Sequence, residues 1–392
     1  MRWPNWLRRL AAEGARPLGL YVHWPFCQSK CPNSDFNSHD SAEIDVDRWT
    51  RAYSSEIARV SQQTPDQILT TIYLGGGTPS LMPPSLVETI IDSARRAWRT
   101  ANDVEITLEA NPNSVEAGRF RDFRAAGVNR VSIGVQALDD ASLKALGRLH
   151  SADEARQAVK IASDVFDRFS FDLIYARQNQ SLADWRGELG QALDMAGGHL
   201  SLYQLTIEPG TAFADRYRKG GLRGLPDGDL SADMYALTQE LTEAAGLPAY
   251  ETSNHAAPGQ ESRHNLIYWH MDDYAGIGPG AHGRLQLGRN RVATEAHRAP
   301  NTWLEAAETA GSGDTLVEPL AAEQIAEERV MMGLRLRAGI PRDQIEALPG
   351  GLINQTAMDQ MIDEGFLSFG DALATTKEGR PLLNAILGRL LA

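Results

Sequence analysis

Cys27-Gln28-Ser29-Lys30-Cys31-Pro32-Asn33-Ser34-Asp35-Phe36 holds both cysteines of this 392-residue chain. The spacing is C-x3-C-x2-S, one sulfur short of C-x3-C-x2-C. Three thiolates at that spacing hold three irons of a [4Fe–4S] cluster and leave the fourth iron open to a small ligand. Soft thiolate suits iron–sulfur iron, whereas a serine hydroxyl is hard and seldom deprotonated. Cys27, Cys31 and Ser34 are therefore the candidate metal ligands, with cluster binding expected to be impaired at Ser34. The bland alternative is a pair of small buried residues with no metal.

Outward from this loop the chain alternates strand-like and helix-like runs. Gly19–His23, Thr71–Leu74, Glu105–Glu109, Val131–Gly134, Phe171–Ile174 and Ser201–Leu205 read as short buried strands. Asp47–Gln62 reads as a helix, and Val87, Ile90, Ile91, Ala94 and Trp98 fall on one helical face. Repeated β-α units of this length predict parallel strands with right-handed crossovers, an α/β class fold. Glycine-rich Gly220–Asp229 marks a boundary, Leu230–Ala245 reads as a helix, and Tyr250–Gly283 reads as loops and short strands over a barrel mouth. From about Thr315 helices dominate: Ala322–Leu336, Gln355–Glu364 and Lys377–Leu391, with a strand near Gly365–Ser368.

Further motifs follow in order. Leu74-Gly75-Gly76-Gly77-Thr78-Pro79-Ser80 leaves a strand, and its glycines allow close backbone approach to a ligand. Leu108-Glu109-Ala110-Asn111-Pro112, Arg130-Val131-Ser132-Ile133-Gly134-Val135-Gln136, Leu146-Gly147-Arg148-Leu149-His150, Asp172-Leu173-Ile174-Tyr175 and Tyr203–Thr211 come next. His264-Asn265-Leu266-Ile267-Tyr268-Trp269 closes the series.

Together these motifs resemble the radical S-adenosylmethionine (SAM) superfamily, in its coproporphyrinogen-oxidase-like branch, across roughly residues 17–392. H-N-x-x-Y-W is similar to the pattern of HemW-type haem chaperones within that branch. The resemblance implies a partial (β/α)6 barrel over 17–225 after an arm at 1–16. A barrel-covering segment at 226–314 and a small, mainly helical, winged-helix-like domain at 315–392 would follow. It implies SAM contacts from Tyr21, Gly76, Gly77, Thr78 and Glu109, and a second ligand site at Gln136, Arg148, Asp172 and Thr206. Arg148 beside Asp172 reads equally well as a structural ion pair. Gln178-Asn179 stand where relatives commonly carry Pro-Gly, which removes a stiff turn.

Imidazole binds haem iron and aromatic faces pack on porphyrin, so His264, Tyr268 and Trp269 are the candidate haem residues. Read from residues alone, a histidine among aromatics is more often structural, and His255, His270 and His282 compete with it. The function implied is a haem chaperone carrying a cluster, SAM and haem, and delivering haem to a recipient such as a respiratory protein. Two alternatives stay open. One is an oxygen-independent coproporphyrinogen III dehydrogenase, but Phe36 stands where those enzymes carry a further cysteine, and their N-terminal region is longer. The other is a cluster-free haem-binding descendant, which Ser34 favours.

Composition agrees with a soluble globular chain: 42% hydrophobic and 23% charged residues, with 38 basic and 51 acidic residues giving a net charge of −13. That balance argues against a general nucleic-acid surface. Two cysteines form no disulfide framework, which fits a cytoplasmic protein, monomer or dimer. No run is long and apolar enough to span a membrane. The basic, aromatic Met1–Leu10 reads as a surface arm, with peripheral membrane contact as the lesser reading.

Overall fold

The computed structural model describes residues 16–27, 44–207 and 209–392. Six strands lie side by side in chain order, each parallel to the next: β1 (Arg16–Trp24), β2 (Gln67–Gly76), β3 (Arg99–Ala110), β4 (Arg130–Gln136), β5 (Arg168–Tyr175) and β6 (His199–Gln204). The order never reverses, so the helices between them cover one face and the sheet curves into an open barrel, as expected for the partial (β/α)6 fold. β7 (Asn254–Ala256) adds antiparallel to β6. On the other edge β8 (Asp273–Ile277) runs parallel to β1. β9 (His282–Leu287), β10 (Asn290–Ala296) and β11 (Asp314–Pro319) then extend it antiparallel, to eleven strands in all.

Strand alternation sorts the two faces. Leu18, Leu20, Val22, Ile72, Leu74, Ile106, Leu108, Val131 and Ile133 are fully buried on the helix-covered face. Each such side chain contributes about 1.5–3 kcal/mol of burial. The 46–63 helix meets them with Trp49, Tyr53 and Ile57, and the 84–97 helix with Val87, Ile90, Ile91 and Ala94. Local signals start these crossovers. Asp45 accepts from the Arg48 amide, and Ser151 with Glu154 and Ser181 with Asp184 form capping boxes. The opposite face carries polar or small residues at every second position, such as Arg130, Ser132, Gly134 and Gln136 on β4.

A second core gathers Val330, Leu334, Ile340, Met358, Met361, Leu373, Ile386 and Leu390. It joins the helices 322–333, 355–363 and 383–390 to a small antiparallel sheet of β12 (Ile340–Pro341), β13 (Leu367–Phe369) and β14 (Ala372–Thr375). Residues 315–319, expected at the head of this helical part, pair with β10 in the main sheet instead. Two ion pairs tie the module to the barrel: Arg284–Glu328 at 2.8 Å and Arg337–Glu243 at 2.7 Å.

The 250–283 stretch holds the expected short strands, β7 and β8, and also a helix that was not expected. His264–Trp269 lies on a helix, Arg263–Trp269, started by the Ser262 side chain accepting from the Asn265 amide. Its mixture of aromatic and polar residues hides the helical period in the sequence. The Gln178-Asn179 loop keeps its turn without Pro-Gly. Asn179 takes φ +59°, a conformation asparagine tolerates better than most residues, and its amide donates to the Gly224 carbonyl.

Candidate functional site

A cavity of about 1230 Å³ opens at the C-terminal ends of the parallel strands, where α/β folds of this kind place ligands. Nine of the sixteen expected site residues line it: Cys27, Gly76, Gly77, Thr78, Glu109, Gln136, Arg148, Asp172 and Thr206. Cys31 and Ser34 lie outside the described residues, so Cys27 is the one thiol placed at the cavity. Among the described residues no three histidine, cysteine or carboxylate groups converge as a metal site.

The glycine edge is tied to the chain entering the cysteine loop. The Gly77 amide donates to the Trp24 carbonyl at 2.7 Å, and the Thr78 amide to the Phe26 carbonyl at 2.8 Å. A Cβ on Gly77 would sit 2.6 Å from the Phe26 oxygen, and one on Gly76, at φ +121°, 2.6 Å from the Trp24 oxygen. Glycine is thus required first by this close backbone approach, which presses the edge of β2 against Cys27.

Glu109 ends β3 beside that edge. It accepts from the Tyr73 hydroxyl at 2.7 Å and the Gly76 amide at 3.1 Å. Burial nevertheless pushes its carboxyl up to about 7, against those two hydrogen bonds. Burial likewise raises Asp172 to about 6, opposed by the Ser201 hydroxyl and by Arg130 and Arg148. Arg148 acts on Asp172 through space and is not in an ion pair with it, and its Nε is buried with no hydrogen-bond partner. Gln136 ends β4 at φ +70°, a strained conformation for a side chain other than glycine or asparagine. The cavity therefore presents two carboxylates short of compensation and a cation short of an acceptor. This is a donor set fitted to a small zwitterion that carries its own positive charge.

Tyr21 stands just behind this wall, its hydroxyl 2.9 Å from His23 Nδ1 and its ring stacked on Tyr73. His264, Tyr268, Trp269 and His282 are not among the lining residues. Thr71 precedes Gly76 by five residues, roughly 16 Å down the strand, and His264 binds at that depth. Its Nδ1 meets the Thr71 hydroxyl at 2.7 Å and its Nε2 the Tyr268 hydroxyl at 2.8 Å. The ring also stacks on Tyr73 with centroids 4.9 Å apart. Burial lowers its pKa to about 3, so it is a neutral imidazole with both nitrogens engaged. Its neighbour Asn265 does reach the cavity, and Trp269 supports the cavity residue Arg335, whose guanidinium lies 5.8 Å from the indole centroid. His255 is buried in β7, and His282 is exposed at the start of β9. Arg130, Ser132, Ser170, Ser201, Tyr203, Tyr235, Arg335 and Arg380 also line the cavity and were not among the expected residues. The strand residues were open to detection, since they share the inward register with Gln136 and Asp172.

The Radical SAM superfamily model matches residues 21–187, and the HemN C-terminal domain model matches residues 320–382. The chain is 38% identical over 382 residues to "Heme chaperone HemW" of Escherichia coli, covering 96% of this chain and 98% of that one. The chain belongs to the HemW family of radical SAM proteins. Its HemW relative in Mycobacterium tuberculosis is 36% identical over 99% of this chain and 98% of its own. Among solved structures the coproporphyrinogen III oxidase HemN of Escherichia coli superposes with a TM-score of 0.80, at 19% identity, over 99% of this chain and 93% of that one. At that identity the likeness concerns the fold. The stretch His264–Trp269 lies on the helix beside the cavity, with Asn265 among the lining residues. Among the described residues no helix is long and apolar enough to cross a membrane.

Proposed function

We propose that the protein is a haem chaperone: it takes haem into the cavity and passes it to a recipient such as a respiratory protein. The observation that carries this is the near end-to-end similarity to proteins named haem chaperones. The cavity supports it, being larger than the roughly 300–1,000 Å³ usual for a small-molecule site.

SAM would sit along Gly76, Gly77 and Thr78. Glu109 would hold its ammonium group, and Gln136, Arg148, Asp172 and Thr206 would bound the space beyond. A positive ligand there would bring both raised carboxyl groups back toward ionisation. Cys27, Cys31 and Ser34 would present the cluster, whose chemistry when bound is to deliver one electron to SAM. Ser34 replaces a soft ligand with a hard one, so cluster assembly would be weak in this chain. Haem ligation by His264 would require release of one of its two bonds, to Thr71 or to Tyr268, and exposure of a ring nitrogen that is now buried. The arrangement supports a structural role for His264 and a porphyrin held by the cavity above it.

The test is anaerobic reconstitution with iron and sulfide, of this chain and of Ser34→Cys, followed by haem titration of each. Haem binding by both, with a full complement of iron only in Ser34→Cys, is the expected result. Failure of both forms to bind haem, or turnover of coproporphyrinogen III by the unaltered chain, would sink the chaperone reading.

A further inference from the structure

The cavity has two unlike halves. The inner half is built from strand ends and carries the carboxylates described above. The outer half is built from β6, the 228–244 helix and the C-terminal module, which supplies Arg335, Arg380 and Leu382. It carries two guanidinium groups and apolar side chains among neutral polar ones, and its one lining carboxylate, Asp227, is engaged at the start of the 228–244 helix, where it accepts from the Leu230 amide. Among the described residues no carboxylate forms an ion pair with Arg380. Glu243 and Glu251 act on it only from further off, and Arg337 opposes them. The Arg335 guanidinium lies 5.8 Å from the Trp269 ring centroid, and no carboxylate among the described residues forms an ion pair with it, so its donors are available to a ligand.

The Tyr235 hydroxyl lines the same wall, buried and without a hydrogen-bond partner. Such a group in a native fold calls for a partner that completes it. Leu382 and Tyr203, also lining residues, are 45% and 42% exposed. Large apolar side chains left open inside a cavity, beside unpaired donors, complement a ligand with an apolar body and acidic ends.

We propose that this outer wall is a carboxylate-binding site. In it Arg380 and Arg335 hold two acidic arms of a flat apolar ligand, the Tyr235 hydroxyl donates to one of them, and Leu382 and Tyr203 cover its body. The inference rests on the haem reading, under which the arms are the two propionates. It gives the C-terminal module a direct part in recognition, because both guanidinium groups come from it. Arginine suits the task through its planar fork of donors, which matches a carboxylate in two parallel bonds.

The experiment is a visible-absorbance titration of the full chain with haem and with haem dimethyl ester, whose arms carry no charge. Wild type should prefer the free acid at least tenfold, about 1.4 kcal/mol. Arg380→Gln should cut the preference for the free acid by about threefold or more while changing ester affinity far less, Arg335 retaining the rest. Arg380→Lys should restore part of the preference, and Tyr235→Phe should reduce it less than Arg380→Gln. Melting temperatures measured alongside establish that each variant is folded. Equal affinity of wild type for acid and ester, or an undiminished preference in folded Arg380→Gln, overturns this inference and leaves the haem reading standing. Failure of wild type to bind either ligand overturns both.

Discussion

The Tyr73 hydroxyl donates to Glu109 at 2.7 Å across the mouth of the barrel, from β2 to β3, while the Gly76 amide donates to the other carboxylate oxygen. This pair sets the electrostatics of the inner cavity. It holds a carboxyl group in place without supplying the positive charge that would keep it ionised. The folded Glu109 keeps its proton up to about pH 7, against 4.5 for the ordinary side chain.

Stability should follow from that difference. Between those values the unfolded state binds fewer protons than the folded one, so the Glu109 contribution to stability falls as pH rises through the window. Glu109→Gln should flatten this part of the pH–stability curve and raise stability at pH 8 by about 1–3 kcal/mol. The same variant should bind SAM more weakly. Chemical denaturation from pH 4 to 8, with SAM calorimetry, checks both, and an unchanged pH slope would refute the assignment.

His264 should behave as a structural residue. His264→Ala leaves the Thr71 and Tyr268 hydroxyls without their partner and opens space beside Tyr73, at a cost of about 2–4 kcal/mol. Folded His264 takes a proton only near pH 3. Unfolded histidine takes one near 6.5, so this residue's contribution is lost as pH falls below that value. Removing it should make acid unfolding less steep. The haem absorption maximum should stay where it is, and a shift on His264→Ala would instead mark it as an iron ligand.

Gly77→Ala tests the contact between the glycine edge and the cysteine loop. The added methyl meets the Phe26 carbonyl at 2.6 Å, backbone that cannot turn aside as a side chain can. A loss of about 1–3 kcal/mol is expected. In the Ser34→Cys background, iron uptake should fall further than the stability loss accounts for, because Cys27 follows directly on Phe26. Iron content normalised to folded protein decides this.

Arg168 bridges Glu105 at 2.6 Å and donates to the Glu261 carbonyl, holding the 263–269 helix against the lower barrel. Glu105 is fully buried and also accepts from the His264 amide. Arg168→Met strands that charge, at about 3–5 kcal/mol. Arg168→Met combined with Glu105→Gln should recover most of the loss, as measured in a denaturant titration. A double variant no more stable than the single would show that packing by the arginine, not its charge, was lost.

Much of the site could be read from the chain because its residues fall at strand ends, and strand ends follow from local pattern. Gly76, Glu109 and Gln136 lie at or next to the ends of strand-like runs and Asp172 lies within one, on the same inward register, which fixes the face they point to. The helix over Arg263–Trp269 escaped because its aromatic and polar residues show no clean period. The 315–319 strand escaped because its partner, β10, settles it, and its own side chains are mostly exposed.

The sequence alone determined the parallel order of the strands, the glycine edge and the loop with two cysteines and a serine. Each is a statement about residues close together in the chain, carried by periodicity, backbone freedom or ligand spacing. Only the tertiary structure decided what His264 does, since its partner Thr71 is 193 residues away. It alone placed Arg335 and Arg380 on the cavity wall. Hydrophobic pattern reports that a residue is buried or exposed, and not which distant group it meets. A histidine's chemistry and an arginine's role depend on that second fact.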